Sequence, residues 1–350
     1  MPPKREPTDY ENELTKLLAE KVLDNGKKYA PSSIKIFTGN IYKLYHKVFD
    51  NVHNEITGLQ WLMDYQEVIK SIADLKINTR ISFLNAVIVA LSTTNMNQDV
   101  KEHYATIRDH LQSERDIQQP KGKNPEQQQK VLDGVTKEDI SAMIDKLIKE
   151  SEQIIMGDRD PYIKRRKAYM TALIFKIHTL YPFRNDLAGT KIIDKTKFDE
   201  IKKTDEFKNN NWLVIQSKSI SFIKMKYKTA QKYGMTLIKF TDTDLIDMIK
   251  KWVSEFLQIK PADMLYNMTP LISYNTGTPL SSNDLTHLLR EASKKYLGHP
   301  LSTTIMAKIY TLAPDDIENS TIEELAPAKA QAQARGHSLK TKLGTYSKGV

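Results

Sequence analysis

The chain has 350 residues, a formal net charge of +9, 40% hydrophobic and 27% charged residues, and no cysteine. That length exceeds one ordinary core and points to two domains. Without cysteine, disulfide scaffolds, thiolate zinc sites and cysteine nucleophiles are excluded, and the basic balance favours an anionic partner, nucleic acid before membrane.

The start, MPPKREPTDYENE, has no apolar run and is not a secretory signal. Residues 1–30 are polar and read as a flexible N-terminal segment. From Ile34 the apolar positions Phe37, Ile41, Leu44 and Val48 step by three and four, which predicts a helix with one buried stripe, capped by Ser32 or Ser33. Trp61, Tyr65, Val68 and Ile72 repeat the pattern. Leu84, Ile88 and Leu91 do so again, and a further helix is expected over 98–112. Together these give a compact helical domain over 31–113. The apolar stretch FLNAVIVAL (83–91) is too short to span a bilayer, so a soluble intracellular protein with no membrane partner is expected.

ERDIQQPKGKNPEQQQK breaks the periodicity and predicts a linker over 114–130. The second domain, 131–350, opens with VTKEDISAMIDKLI. Thr136 can cap a helix with Asp139 at its third position, and Ile140, Ile144 and Leu147 form the stripe. YIKRRKAYMTALIFKIHTLYP is a helix stopped by Pro182. Three strand-like runs follow: NWLVIQ (211–216), ISFIKMKY (220–227) and MTLIKF (235–240). The last two are joined by KTAQKYG as a hairpin. Helical patterns return after 241. The fold class expected is mainly α with a small antiparallel β-sheet.

The eight histidines are scattered, with no HExxH and no paired-carboxylate spacing for a metal. No glycine-rich phosphate loop precedes a helix and no GxSxG elbow occurs, so no cofactor is expected. What remains is a set of separated basic residues and a tyrosine. Arg184 follows the helix-ending proline. Lys228 lies in the hairpin. His337 follows Gly336, and Tyr346 comes nine residues later in GHSLKTKLGTY. Singly, each has an ordinary explanation: Arg184 as a surface arginine paired with Asp186, Lys228 as a turn residue, His337 as a cap, Tyr346 as a core plug.

Taken in order, FRNDLAGTKI, YKTAQKYG and GHSLKTKLGTY resemble the motifs of tyrosine recombinases. The resemblance is greatest to those of large DNA viruses, virophages and related eukaryotic mobile elements, and it covers most of the chain. It implies a helical core-binding domain, a linker and an α+β catalytic domain that clamp double-stranded DNA as a homo-tetramer on two sites. It also implies a host nucleus or viral factory as the location if the source is viral. Tyr346 would attack the phosphorus to form a 3′-phosphotyrosyl link. Arg184 and His337 would stabilise charge on the non-bridging oxygens, and Lys228 would protonate the leaving 5′-oxygen. DNA contacts would come from Ser33, Lys35 and Arg80 at helix starts, from Thr229 and Lys232 in the hairpin, and from Lys340 in the tail.

The chain departs from the family at the second arginine. Aligning KIYTL with the usual R-x-I-Y form puts Ala307 at that position and Thr304 at the histidine position. Three explanations stand side by side. Lys308 substitutes as a point charge, the protein is an inactive DNA-binding relative, or Ala307 is a deliberate substitution that slows the enzyme. The last is preferred because Arg184, Lys228, His337 and Tyr346 are all retained. A type IB topoisomerase shares the chemistry and is disfavoured by the spacing of GHS to Tyr346.

Overall fold

The computed structural model describes residues 8–23, 26, 28–49, 58–94, 98–118, 125–153, 160–217, 219–227, 230, 234–259 and 268–310. The chain divides into two compact units, Met1–Lys121 and Gly122–Val350. The division falls inside the expected linker.

In the first unit, α1 (Asp9–Glu20) is capped by a reciprocal box in which Thr8 and Glu11 satisfy each other's backbone N–H groups. It buries Leu14 and Leu18 in the unit's core. A helix therefore lies within the segment read as flexible from its polar composition, set by apolar residues four apart. Helix α2 (Pro31–Val48) starts with proline at its first position and Ala30 as an uncapped N-cap, so neither Ser32 nor Ser33 serves as the cap. The second predicted helix divides into a 3-10 turn (Gln60–Met63) and α3 (Tyr65–Ser71), which begins where the Asp64 carboxylate accepts from the Glu67 N–H. Helix α4 (Ile77–Leu91) buries Phe83, Leu84, Ala86, Val87, Ala90 and Leu91, a wider face than one stripe. It lies between α2 and α5 (Gln98–Gln118), which explains the extra buried positions. Asn40 donates to Ser82 Oγ at 2.9 Å while Lys47 reaches Asp74 at 3.2 Å, so α2 and α4 run antiparallel.

In the second unit, α6 (Glu126–Asp133) occupies the last part of the expected linker. Helix α7 (Lys137–Glu152) begins at the foreseen Thr136–Asp139 capping box. Helix α8 (Pro161–Leu180) is the central element: Leu173, Ile174 and Phe175 are fully buried. Burial of each such side chain contributes about 1.5–3 kcal/mol.

The sheet runs β1 (Lys191–Asp194), β2 (Trp212–Ile215), β3 (Ile220–Lys224) and β4 (Thr236–Phe240) in spatial order. β1 pairs with β2 in parallel, and the other two pairs are antiparallel. The expectation of a purely antiparallel sheet is therefore corrected to a mixed one. The connection through α9 (Lys195–Ile201) and α10 (Asp205–Lys208) carries the chain back to the same edge, which a parallel neighbour requires. Both faces are covered. Ile192, Leu213, Phe222, Ile238 and Phe240 face the main core, while Ile193, Trp212, Val214 and Ile223 pack with Phe207 of α10. After β4 come α11 (Thr243–Lys251) with a π-helical turn at Trp252–Phe256, α12 (Ser282–Leu297) and α13 (Thr303–Ile309). Gly298 ends α12 at φ 73°, a left-handed conformation that favours glycine. No helix among the described residues is long and apolar enough to cross a membrane.

Candidate functional site

Pro182 cannot continue α8, and the chain turns there. Phe183 is fully buried against Phe222, with ring centroids 4.6 Å apart. This anchor presents the next residue, Arg184, half-buried, at the start of a 3-10 turn formed by Asn185–Leu187. Asn185 Nδ2 donates to Thr286 Oγ1 at 2.8 Å and to the Ser282 carbonyl at 3.1 Å, both on α12. Thr303 Oγ1, the first residue of α13, donates to Asn185 Oδ1 at 3.3 Å. The turn holding Arg184 is thus tied to the helix that carries Ala307.

These elements border an open cleft of about 990 Å³, lined by Arg184, Asp186, Lys191, Asn211, Lys226 and Thr304 among others. Its mouth includes Ser281, the N-cap of α12, and its cationic side chains suit an anion. Lys191 is partly neutralised by Glu206 at 3.0 Å. Ala307 lies three and four residues beyond Thr304 and Thr303, on the same helix face. Side chains on a helix lean toward its N-terminus, so a long residue at 307 would extend toward the cleft. Ala307 itself is buried.

The hairpin is positioned from both arms. Asn211, buried at the start of β2, donates to the Asp186 and Lys226 carbonyls, each at 3.0 Å. Its Oδ1 accepts from the N–H groups of Met225 (3.0 Å) and Lys226 (2.8 Å). Tyr227 OH donates to the Gly234 carbonyl at 2.7 Å, closing the loop across its base. Below it, Lys224 has no solvent exposure and its Nζ meets Asp186 Oδ2 at 2.7 Å. The same ammonium lies 4.5 Å from the Tyr227 ring centroid and 5.7 Å from that of Phe183.

Of the residues singled out from the sequence, Arg184 and the helix bearing Ala307 come together at this cleft. Lys308 does not line it; its half-buried Nζ donates to Gln128 Oε1 of α6 at 3.1 Å, and burial lowers its pKa. Nearby, His299 packs so closely on Gly134, at the end of α6, that a Cβ there would meet Nε2 at 2.7 Å. Lys228, Thr229, Lys232, His337, Lys340 and Tyr346 lie outside the described residues. In the first unit, Lys35 is exposed, and Ser33 and Arg80 are half-buried. Arg80 lies two residues before Ser82, which meets Asn40 near the middle of α2. Its Nε is buried with no hydrogen-bond partner among the described residues.

Sequence reasoning missed Lys224, Asn211 and Lys226. The pairing weighed for Asp186 was Arg184; the structure pairs Asp186 with Lys224. Among the described residues, no group of three or more His, Asp or Glu is placed to hold a metal ion. Comparison of the chain with protein-family models, with curated proteins and with solved structures finds no match in any of the three.

Proposed function

We propose that this chain is a tyrosine recombinase, a DNA strand transferase that works through a 3′-phosphotyrosyl intermediate on double-stranded DNA. The observation that carries the reading is the hydrogen-bonded junction of the Arg184 turn with α13 through Asn185 and Thr303. Two motif positions far apart in the chain border one cationic cleft, as a phosphodiester-binding site requires.

In this reading the scissile phosphate enters the cleft beside Arg184, whose planar fork donates two hydrogen bonds to the non-bridging oxygens. The Tyr346 phenol gives up its proton to solvent, and the phenolate oxygen attacks phosphorus. The P–O5′ bond breaks as the P–O bond to tyrosine forms, and Lys228 gives its proton to the departing 5′-oxygen. His337 donates to a phosphate oxygen. The 5′-hydroxyl of a second strand later reverses the step, so the bond energy is retained without a cofactor. Ser33, Lys35, Arg80, Thr229, Lys232 and Lys340 would contact the backbone, and four subunits would assemble on two duplexes inside the cell.

A second reading has its own observation. Ala307 stands where the family carries an arginine, and a chain lacking it fits an inactive DNA-binding relative. Removing one such transition-state donor lowers rates about 10²–10³-fold. The two readings separate on a nicked duplex bearing a site that the protein itself selects from a randomised pool. Denaturing electrophoresis then measures the covalent protein–DNA adduct. The recombinase reading expects Ala307→Arg to raise the adduct by about 10² or more, and Tyr346→Phe in that background to abolish it. Tight binding with no adduct from either form overturns it and leaves the DNA-binding reading.

A further inference from the structure

We infer that the buried Lys224–Asp186 pair is a positioning device that sets the hairpin shoulder, residues 225–227, against the Arg184 turn. The inference rests on the strand-transfer reading for its chemistry, although its geometry stands independently.

A lysine with no solvent exposure is rare, because its charge is costly to remove from water unless well compensated. Here it sits at the last position of β3 and pairs with a carboxylate on the turn of Arg184, at 2.7 Å. Replacing such pairs by apolar groups is often neutral for stability, so stability alone gives weak grounds for its presence. What the pair joins is more informative. Asp186 lies two residues after Arg184, and Lys224 lies four residues before Lys228. The Lys224 ammonium also sits under the Tyr227 ring, which closes the hairpin base. Asn211 makes a parallel connection from the Asp186 carbonyl to Lys226. Both links run between the same two segments.

The Arg184 turn has further anchors, in buried Phe183 and in Asn185 on α12. Loss of the pair therefore falls mainly on the hairpin. In chemical terms it should impair proton delivery to the leaving oxygen more than charge stabilisation at the phosphate.

The first test follows amide hydrogen exchange at Met225 and Lys226, whose N–H groups donate to Asn211 Oδ1. It compares the full chain, Lys224→Met, and Lys224→Met/Asp186→Leu, with thermal unfolding alongside. The single variant leaves a buried carboxylate uncompensated and is destabilised. The double variant removes both charges and regains a near-parental melting temperature. Positioning requires exchange at least tenfold faster in the double variant despite its recovered melting temperature. Exchange that returns to the parental rate together with the melting temperature shows packing alone and overturns the inference.

The second test places the double variant in the Ala307→Arg background on the self-selected duplex. It compares ordinary DNA with DNA carrying sulfur at the 5′-bridging position. With sulfur, the P–S bond breaks and the leaving thiolate needs no proton. Adduct formation should fall at least a hundredfold on ordinary DNA and recover to within tenfold of the parent on the sulfur substrate. Equal slowing on both substrates overturns the link to Lys228. If no protein forms adduct on either duplex, the strand-transfer reading fails, and hydrogen exchange alone decides the positioning role.

Discussion

Replacing Asn211 by alanine removes four hydrogen bonds at once. The side chain is 5% exposed and serves two carbonyls and two N–H groups, all at 2.8–3.0 Å. Each bond is worth about 1 kcal/mol net, and a partner left buried without one costs about 1–3 kcal/mol. Some of the freed groups, those of Lys226 in particular, can be rehydrated from the open cleft. The expected loss is therefore about 3 kcal/mol rather than the full sum. In a unit of this size 1 kcal/mol moves the melting temperature by about 2–4 °C, which gives a drop of roughly 6–12 °C. Urea unfolding of the full chain, following the second unit by tryptophan fluorescence from Trp212 and Trp252, measures it. Asn209→Ala is the control, since Asn209 is exposed at the same cleft. A loss for Asn211→Ala within about 0.5 kcal/mol of that control, the ordinary range for surface changes, would refute the network as a stabilising element.

Phe183→Ala should cost about 3–5 kcal/mol and Phe183→Leu clearly less, because the ring fills a fully enclosed site beside Phe222; calorimetry of the two variants checks the order. At the start of α7, hydrogen bonds from the Thr136 backbone and hydroxyl hold the Asp139 carboxyl below the usual carboxylate range. A depressed folded-state value gives stability that is present above the unfolded pKa and lost as pH falls through the folded one. Asp139→Asn should therefore be less stable than the parent at pH 7, and the difference should shrink in acid; a pH-independent difference contradicts this cause.

Several elements were legible because their signals are local. The Thr136-to-Asp139 spacing forms the capping box, and the apolar runs at 211–216, 220–227 and 235–240 contain β2, β3 and β4. β1 escaped notice because four residues flanked by lysines carry no period, and its pairing depends on a strand some twenty residues later. Helix α1 was hidden by charged residues around only two fully buried leucines. At the site, Arg184 stood out through its place after a helix-stopping proline. Lys224 did not, since a lysine at a strand end normally reads as solvent-facing. Its burial depends on Asp186, a partner brought close only by the tertiary fold. Asn211 lay within a run of three asparagines that resembles any loop, and its role depends on segments from two other parts of the chain.

Helix α6 is held near its start by Gln128 on Lys308 and at its end by Gly134 against His299. Lys308 lies within α13, one residue after Ala307, and His299 lies three residues before its N-cap, Ser302. Helix α6 therefore braces α13 and the turn before it at two points. A substitution at Gln128, far in sequence from any catalytic motif, would then alter how firmly α13, which brings Thr303 and Thr304 to the cleft, is seated.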